Sequence, residues 1–136
     1  MKTFRYFLII LTVMFLYCSE KSNPINSDID YTYFTTHWVN SFEEQIENDP
    51  TQVFRPSDYM EFPPSRYREQ LTFNQDGSCR YLVLSPLDRH YFITGKWGFL
   101  NIKENIIQIS DSFDVTYKKF QILELDQNLL KFVIVN

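Results

Sequence analysis

Three arginines crowd one short stretch. Arg55, Arg66 and Arg68 flank a segment that holds Pro56, Pro63 and Pro64 together with Tyr59, Met60 and Phe62. A guanidinium presents a planar fork of donors that matches a carboxylate or a phosphate. Two readings follow. Either these side chains form the anion-reading mouth of a cavity, or they pair internally with Glu43, Glu44, Asp58 or Glu61 and pin the segment. The remaining inventory is thin. His37, His90 and Cys79 have metal-ligand character, but no two of them have ligand spacing, so no metal site is expected. Glu43/Glu44 and Asp58/Glu61 are carboxylate pairs of the kind used in acid–base chemistry, and a solvated loop or strand end explains them more simply. Ser41 and Ser65 lack a recognisable His–Asp setting, and neither a Gly-rich phosphate loop nor a Gly-x-Ser-x-Gly elbow occurs. Cys79 reads as a small buried apolar residue rather than a nucleophile. No catalytic residue, cofactor or enzymatic activity is expected.

The elements that must position these residues are strands. Residues 67–74 and 79–84 are β-rich runs joined by Gln75-Asp76-Gly77-Ser78, and Asp-Gly between such runs marks a hairpin because Gly77 can take the positive φ the turn needs. Leu71 and Phe73 share one face of the first run. Residues 90–100 alternate: Tyr91, Ile93, Gly95, Trp97 and Phe99 on one face, His90, Phe92, Thr94, Lys96 and Gly98 on the other. Further runs at 35–43, 52–55, 105–110, 115–125 and 129–135 bring the total to about eight strands, mostly joined by short turns. Residues 43–48 have room for one helical turn before Asn48-Asp49-Pro50. Residues 31–34 are apolar enough to dock on the domain or to form an early strand. Three prolines within residues 56–64 exclude a helix or a central strand there, and the aromatics between them predict a packed Ω-like loop over one end. A meander of this length must cover its edges, and an all-β, antiparallel up-and-down barrel does so with sequential hairpins. Tyr91, Trp97 and Phe99 then either line a ligand cavity or belong to a filled core. The pattern leaves the inward phase open by one residue.

Composition agrees. Of 136 residues 44% are hydrophobic and 18% aromatic, including 13 Phe and 9 Tyr, which favours strands and one packed domain. The formal net charge is −4, and removing residues 1–17 takes away Lys2 and Arg5 and leaves 11 basic against 17 acidic residues. So acidic a domain is a poor candidate for nucleic-acid binding.

Residues 1–20 read as targeting rather than fold. Lys2 and Arg5 precede an apolar run at 6–17 that is too short for an ordinary spanning helix and suits a signal segment. The run ends in Phe15-Leu16-Tyr17-Cys18. This resembles a bacterial lipoprotein signal, in which the Cys is acylated and becomes the mature N-terminus; Tyr17 departs from the usual Gly, Ala or Ser. An ordinary secretory signal and an uncleaved anchor are the alternatives. The expected organisation is a signal peptide at 1–17, a polar tether at 18–30 starting from lipidated Cys18, and a barrel domain at 31–136. The expected location is the bacterial cell envelope, attached to a membrane. With Cys18 acylated, Cys79 has no disulfide partner.

A second resemblance rests on residues 38–97. Trp38-Val39-Asn40-Ser41-Phe42-Glu43-Glu44, Phe54-Arg55-Pro56, Tyr59, Phe62-Pro63-Pro64-Ser65-Arg66-Tyr67-Arg68, Phe73 with Asp76-Gly77, Pro86 with Asp88, and Gly95-Lys96-Trp97 resemble an uncharacterised family of small bacterial lipocalin-like proteins. The resemblance implies a small calycin-type barrel and no established activity. Gly95-Lys96-Trp97 lies mid-chain, whereas true lipocalins carry Gly-x-Trp on the first strand, so their ligand and receptor motifs do not transfer. Two functions fit. One is a membrane-anchored binding protein for a small apolar or amphipathic ligand, with Arg66, Arg68, Tyr91, Trp97 and Phe99 as candidate ligand-binding residues. The other is a structural or interaction lipoprotein with a filled core.

Overall fold

A computed structural model of the chain describes residues 29–87 and 89–136. The expected signal peptide, Cys18 and the tether as far as residue 28 lie outside the described residues, as does Asp88. Eight antiparallel strands form a closed barrel: β1 His37–Asn40, β2 Gln52–Pro56, β3 Gln70–Phe73, β4 Ser78–Leu84, β5 His90–Asn101, β6 Ile106–Asp111, β7 Thr116–Asp126 and β8 Leu129–Ile134. Single 3₁₀ turns at Tyr31–Tyr33 and Phe42–Glu44 are the helical elements of the described residues.

From β3 to β8 each strand pairs with the next, as sequential hairpins require. The β3–β4 turn is built as its residues predict. Gly77 has φ +82°, its N–H donates to Asn74 O, and Asp76 Oδ1 accepts from the Ser78 amide. With few glycines available, Asn48, Asn105 and Asp114 take the other positive φ angles, which short polar side chains tolerate. The first hairpin sits in exchanged order: β1 pairs with β3, and β2 pairs with β8. β2 and β3 therefore run parallel on either side of β1. The connection between them, residues 57–69, passes across β1 from one end of the barrel to the other. Alternation points Val39 outward, yet it is buried, as expected beneath that connection.

The interior is filled. Trp38, Phe54, Leu71, Phe73, Tyr81, Ile107, Ile109, Phe120, Ile122, Leu130 and Phe132 are buried and form one cluster. Gly95 lets two strands approach closely: a Cβ there would lie 2.0 Å from Ser110 O and 3.2 Å from Tyr81 Cε1. The inward phase of β5 is that of Ile93, Gly95 and Trp97, since Gly95 is buried and the other two pack on the core.

For orientation, the lower end of the barrel is where β1 begins, beside the β5–β6 turn. The upper end is where β3 begins, beside the β4–β5 and β6–β7 turns. Residues 31–34 close the lower end. Asp30 Oδ1 caps their 3₁₀ turn by accepting from the Thr32 amide. Phe34 is fully buried there, 4.1 Å from Phe73 and 4.9 Å from Trp97 between ring centres, and its carbonyl accepts from Trp38 Nε1. Ile29 and Tyr31 also pack against the core, so the folded end takes in Ile29 and Asp30, which the sequence assigns to the tether.

Candidate functional site

The acidic pair that follows β1 meets Arg55 of β2 and Arg68 of the crossover as a double clasp. The 3₁₀ turn Phe42–Glu44 presents Glu43 and Glu44 to different arginines. Arg68 donates from Nη1 to Asn40 O and Glu43 Oε2, and from Nη2 to Glu43 Oε1 and Pro63 O, at 2.6–2.9 Å. Its guanidinium also lies over the Phe42 and Phe62 rings. Arg55 donates from Nε and Nη2 to Glu44 and from Nη1 to Asn128 O, and packs over Tyr59. The Arg55 hydrogen bonds, helped by Ser41 Oγ, hold the Glu44 carboxyl down at about 2 against the burial that opposes ionisation; the Arg68 hydrogen bonds hold Glu43 below its ordinary value. The Arg68 clasp ties the connection over β1 to the 3₁₀ turn that follows β1, and the Arg55 clasp ties β2 to the same turn and to the β7–β8 turn. Of the two sequence readings, internal pairing describes Arg55 and Arg68. Their forks are occupied by protein carboxylates and carbonyls. Arg66 is exposed on the same connection.

The candidate ligand-binding residues do not form one pocket. Trp97 and Phe99 lie near the lower end, 6.1 Å apart, in an aromatic group with Tyr31, Phe34 and Phe73. Trp97 Nε1 donates to Asn74 O, and its amide donates to Gly77 O, so the indole is fixed to the β3–β4 turn. Tyr91 is exposed near the upper end of β5, six residues before Trp97. Arg68 belongs to the clasp.

A polar cluster not anticipated from sequence closes the upper end. Glu69 continues the inward column of Leu71 and Phe73, and Lys118, paired with inward Ile109, bonds to it. Both side chains are largely buried. An irregularity between Ile109 and Ser110 leaves Tyr117 as an extra residue, and a bulge re-aims its side chain to the same side as Lys118. Tyr117 stacks on Tyr81 at 4.2 Å. Tyr67 donates its hydroxyl to Leu82 O and meets the His90 ring edge-on. Burial, then the charge of Glu69, pushes the Tyr117 phenol well above its ordinary value and raises Tyr67 too. These phenols therefore stay protonated, and Tyr67 uses its proton on the Leu82 carbonyl. Alternation from Leu71 placed Glu69 inward, a signal present in the sequence; the bulge that turns Tyr117 in had none.

The remaining groups of reactive type, Cys79, His37 and His90, lie apart from one another. Burial pushes the Cys79 thiol up to about 11, far from the thiolate a nucleophile needs. His37 Nε2 lies 3.1 Å from Gln70 Oε1 at the lower end of β1, while His90 opens β5 at the upper end. Among the described residues no three His, Cys, Asp or Glu side chains gather as a metal site. A groove of about 350 Å³ on the outer wall is lined by Glu44, Ile46, Val53, Leu123, Glu124 and Lys131. Another of about 380 Å³ runs beside Tyr117, Lys118, Lys119 and Ile134. Compared with known protein families, curated proteins and solved structures, the chain has no significant match.

Proposed function

We propose that this chain is a non-catalytic barrel, held at a membrane of the bacterial cell envelope by its N-terminal segment, that acts through its outer surface rather than by carrying a ligand inside. An eight-stranded barrel has an interior that side chains can fill or that can hold one small ligand, so the fold is compatible with a lipocalin-like binding role. What supports the surface reading is the lower-end plug. Phe34 is fully buried against Trp97, Phe73 and Phe120, where an apolar ligand would have to enter. At the other end the Glu69–Lys118 pair and stacked Tyr81 and Tyr117 occupy the opening. Attachment through acylated Cys18 rests on the signal-like leader, with its Lys2 and Arg5, apolar run and terminal Cys. The partner of the outer surface is a protein or the membrane itself, not nucleic acid, which an acidic domain would repel.

Native mass spectrometry of gently extracted protein, with a fatty-acid titration followed by tryptophan fluorescence, tests this reading. The expected result is protein free of co-purified small molecules and no saturable quenching. Saturable quenching that disappears in Trp97→Phe would refute the filled-core reading and restore the ligand-binding one. For attachment, Cys18→Ala is expected to release the domain or stall its processing. Normal maturation and unchanged membrane partitioning of that variant would remove the lipid anchor from the proposal.

A further inference from the structure

We infer that the lower end of the barrel is a lipid-docking face, on which the tip of the β5–β6 hairpin and the 3₁₀ turn beside it rest in the membrane interface. The inference rests on the proposed membrane attachment through the N-terminal segment and specifies which face of the domain that attachment brings into contact.

Three observations carry it. First, β5 overhangs its neighbour: β4 starts at Ser78, opposite Lys96, and β5 continues to Asn101. A register shift between Phe99 and Asn101 leaves Leu100 as an extra residue that turns out of the ladder. The turn that follows carries Ile102, which is 63% exposed, and Leu100 is 56% exposed. Large aliphatic side chains on a hairpin tip gain nothing from water, and they suit shallow insertion at a headgroup boundary. Second, the overhang is rigid. Tyr31 donates its hydroxyl to Asn105 Oδ1 at 2.9 Å, its ring meets Phe99 edge-on at 4.7 Å, and Gln121 Nε2 donates to Glu104 O. The half-exposed Tyr33 ring sits on the same 3₁₀ turn, an aromatic with one apolar body and one polar tip, as interfaces favour. Third, the chain enters the fold here. Ile29 packs on the core at this end and lies eleven positions after Cys18. Eleven residues span at most about 40 Å. That reach lets the lower end rest on the membrane without tension.

The upper end is also partly apolar, with Phe113 85% exposed at the β6–β7 tip. It lies at the far end of β6, whose six residues cover about 20 Å. Bringing Phe113 to the bilayer would require the chain before Ile29 to run back along the barrel wall, which takes up about half of its reach. Asp30 and Glu104 flank the lower face and Lys103 is the basic residue beside them, so apolar insertion rather than attraction to anionic lipid drives docking.

The test uses the full chain, extracted from membranes and reconstituted in phosphatidylcholine vesicles with brominated acyl chains. Trp38 is fully buried and Trp97 largely so, which keeps the background low. Ile102→Trp and Phe113→Trp each add one reporter at opposite ends, and far-UV circular dichroism checks that both fold. The expected result is co-flotation with vesicles, added emission of Ile102→Trp quenched at least twofold, and added emission of Phe113→Trp unquenched. Quenching of Phe113→Trp instead, or of neither, in protein that still co-floats overturns the docking face while leaving membrane attachment intact. Protein that does not co-float overturns the attachment reading, and the docking face with it.

Discussion

Replacing Arg68 by Ala is expected to destabilise the domain more than any other single change on its outer surface. The Arg68 side chain is 9% exposed, and its guanidinium makes four hydrogen bonds, two to the Glu43 carboxylate and two to the carbonyls of Asn40 and Pro63. Hydrogen bonds to charged groups each contribute about 1.5–3 kcal/mol, and they do not add when one fork makes them all. Breaking a fully buried ion pair costs about 3–5 kcal/mol. Glu43 is 31% exposed, so water can rehydrate the abandoned carboxylate and the cost falls below that range. The Asn40 and Pro63 carbonyls lose their donor, and Phe42 and Phe62 lose the cation packed on them, worth about 0.5–1 kcal/mol at exposed sites. The expected loss is about 2–3 kcal/mol, which for a domain of this size lowers Tm by about 8–15 °C. Circular dichroism melts of parent, Arg68→Ala and Arg68→Lys measure it. Lysine offers a point charge rather than a fork, so it is expected to recover less than half of the loss. A melt of Arg68→Ala within about 2 °C of the parent, or full recovery by lysine, would refute the clasp as a structural tie.

The other predictions rest on different parts of the barrel. Gly95→Ala is expected to cost at least about 3 kcal/mol by urea denaturation, because its Cβ would collide with the Ser110 carbonyl. Gly98→Ala meets nothing within 4 Å and is expected to be neutral or slightly stabilising; equal effects at the two positions would contradict this packing. Glu44, with its folded pKa at about 2 against an ordinary 4.5, contributes stability that is fully present above 4.5 and lost as pH falls toward 2. The stability gap between parent and Glu44→Gln should therefore be open at pH 6 and narrow progressively below pH 4.5, and a gap independent of pH would show that the carboxylate charge is not what Arg55 holds. Cys79, buried and with its thiol at about 11, is expected to escape iodoacetamide at pH 8 in the native protein and to react fully in urea, as read by peptide mapping. Rapid native labelling would mean that the β4–β5 wall opens readily.

Much of this fold is written in local pattern. Alternation along residues 90–100 and the Asp76-Gly77 turn are properties of adjacent residues, and the structure has strands and turn where that pattern puts them. Of the two possible β5 phases, packing selects the one in which a residue without a Cβ meets the Ser110 carbonyl. The choice of neighbours is another matter. A period of two tells which face a side chain takes but not which strand lies beside it, so the exchange of β1 and β2 around the barrel was not encoded in any one stretch. The same holds for the Arg68 clasp. Glu44 and Arg55, 11 apart, meet across the β1–β2 hairpin, whereas Glu43 and Arg68 are 25 apart, and only the crossover over β1 decides that Arg68 meets a glutamate rather than an outside anion. At the upper end a one-residue bulge overrides alternation and brings Tyr117 inward beside Lys118. Residues 31–34 are apolar enough to dock, but what they dock on, the open lower end above which Phe73, Trp97 and Phe120 converge, exists only after strands distant in sequence have closed around it.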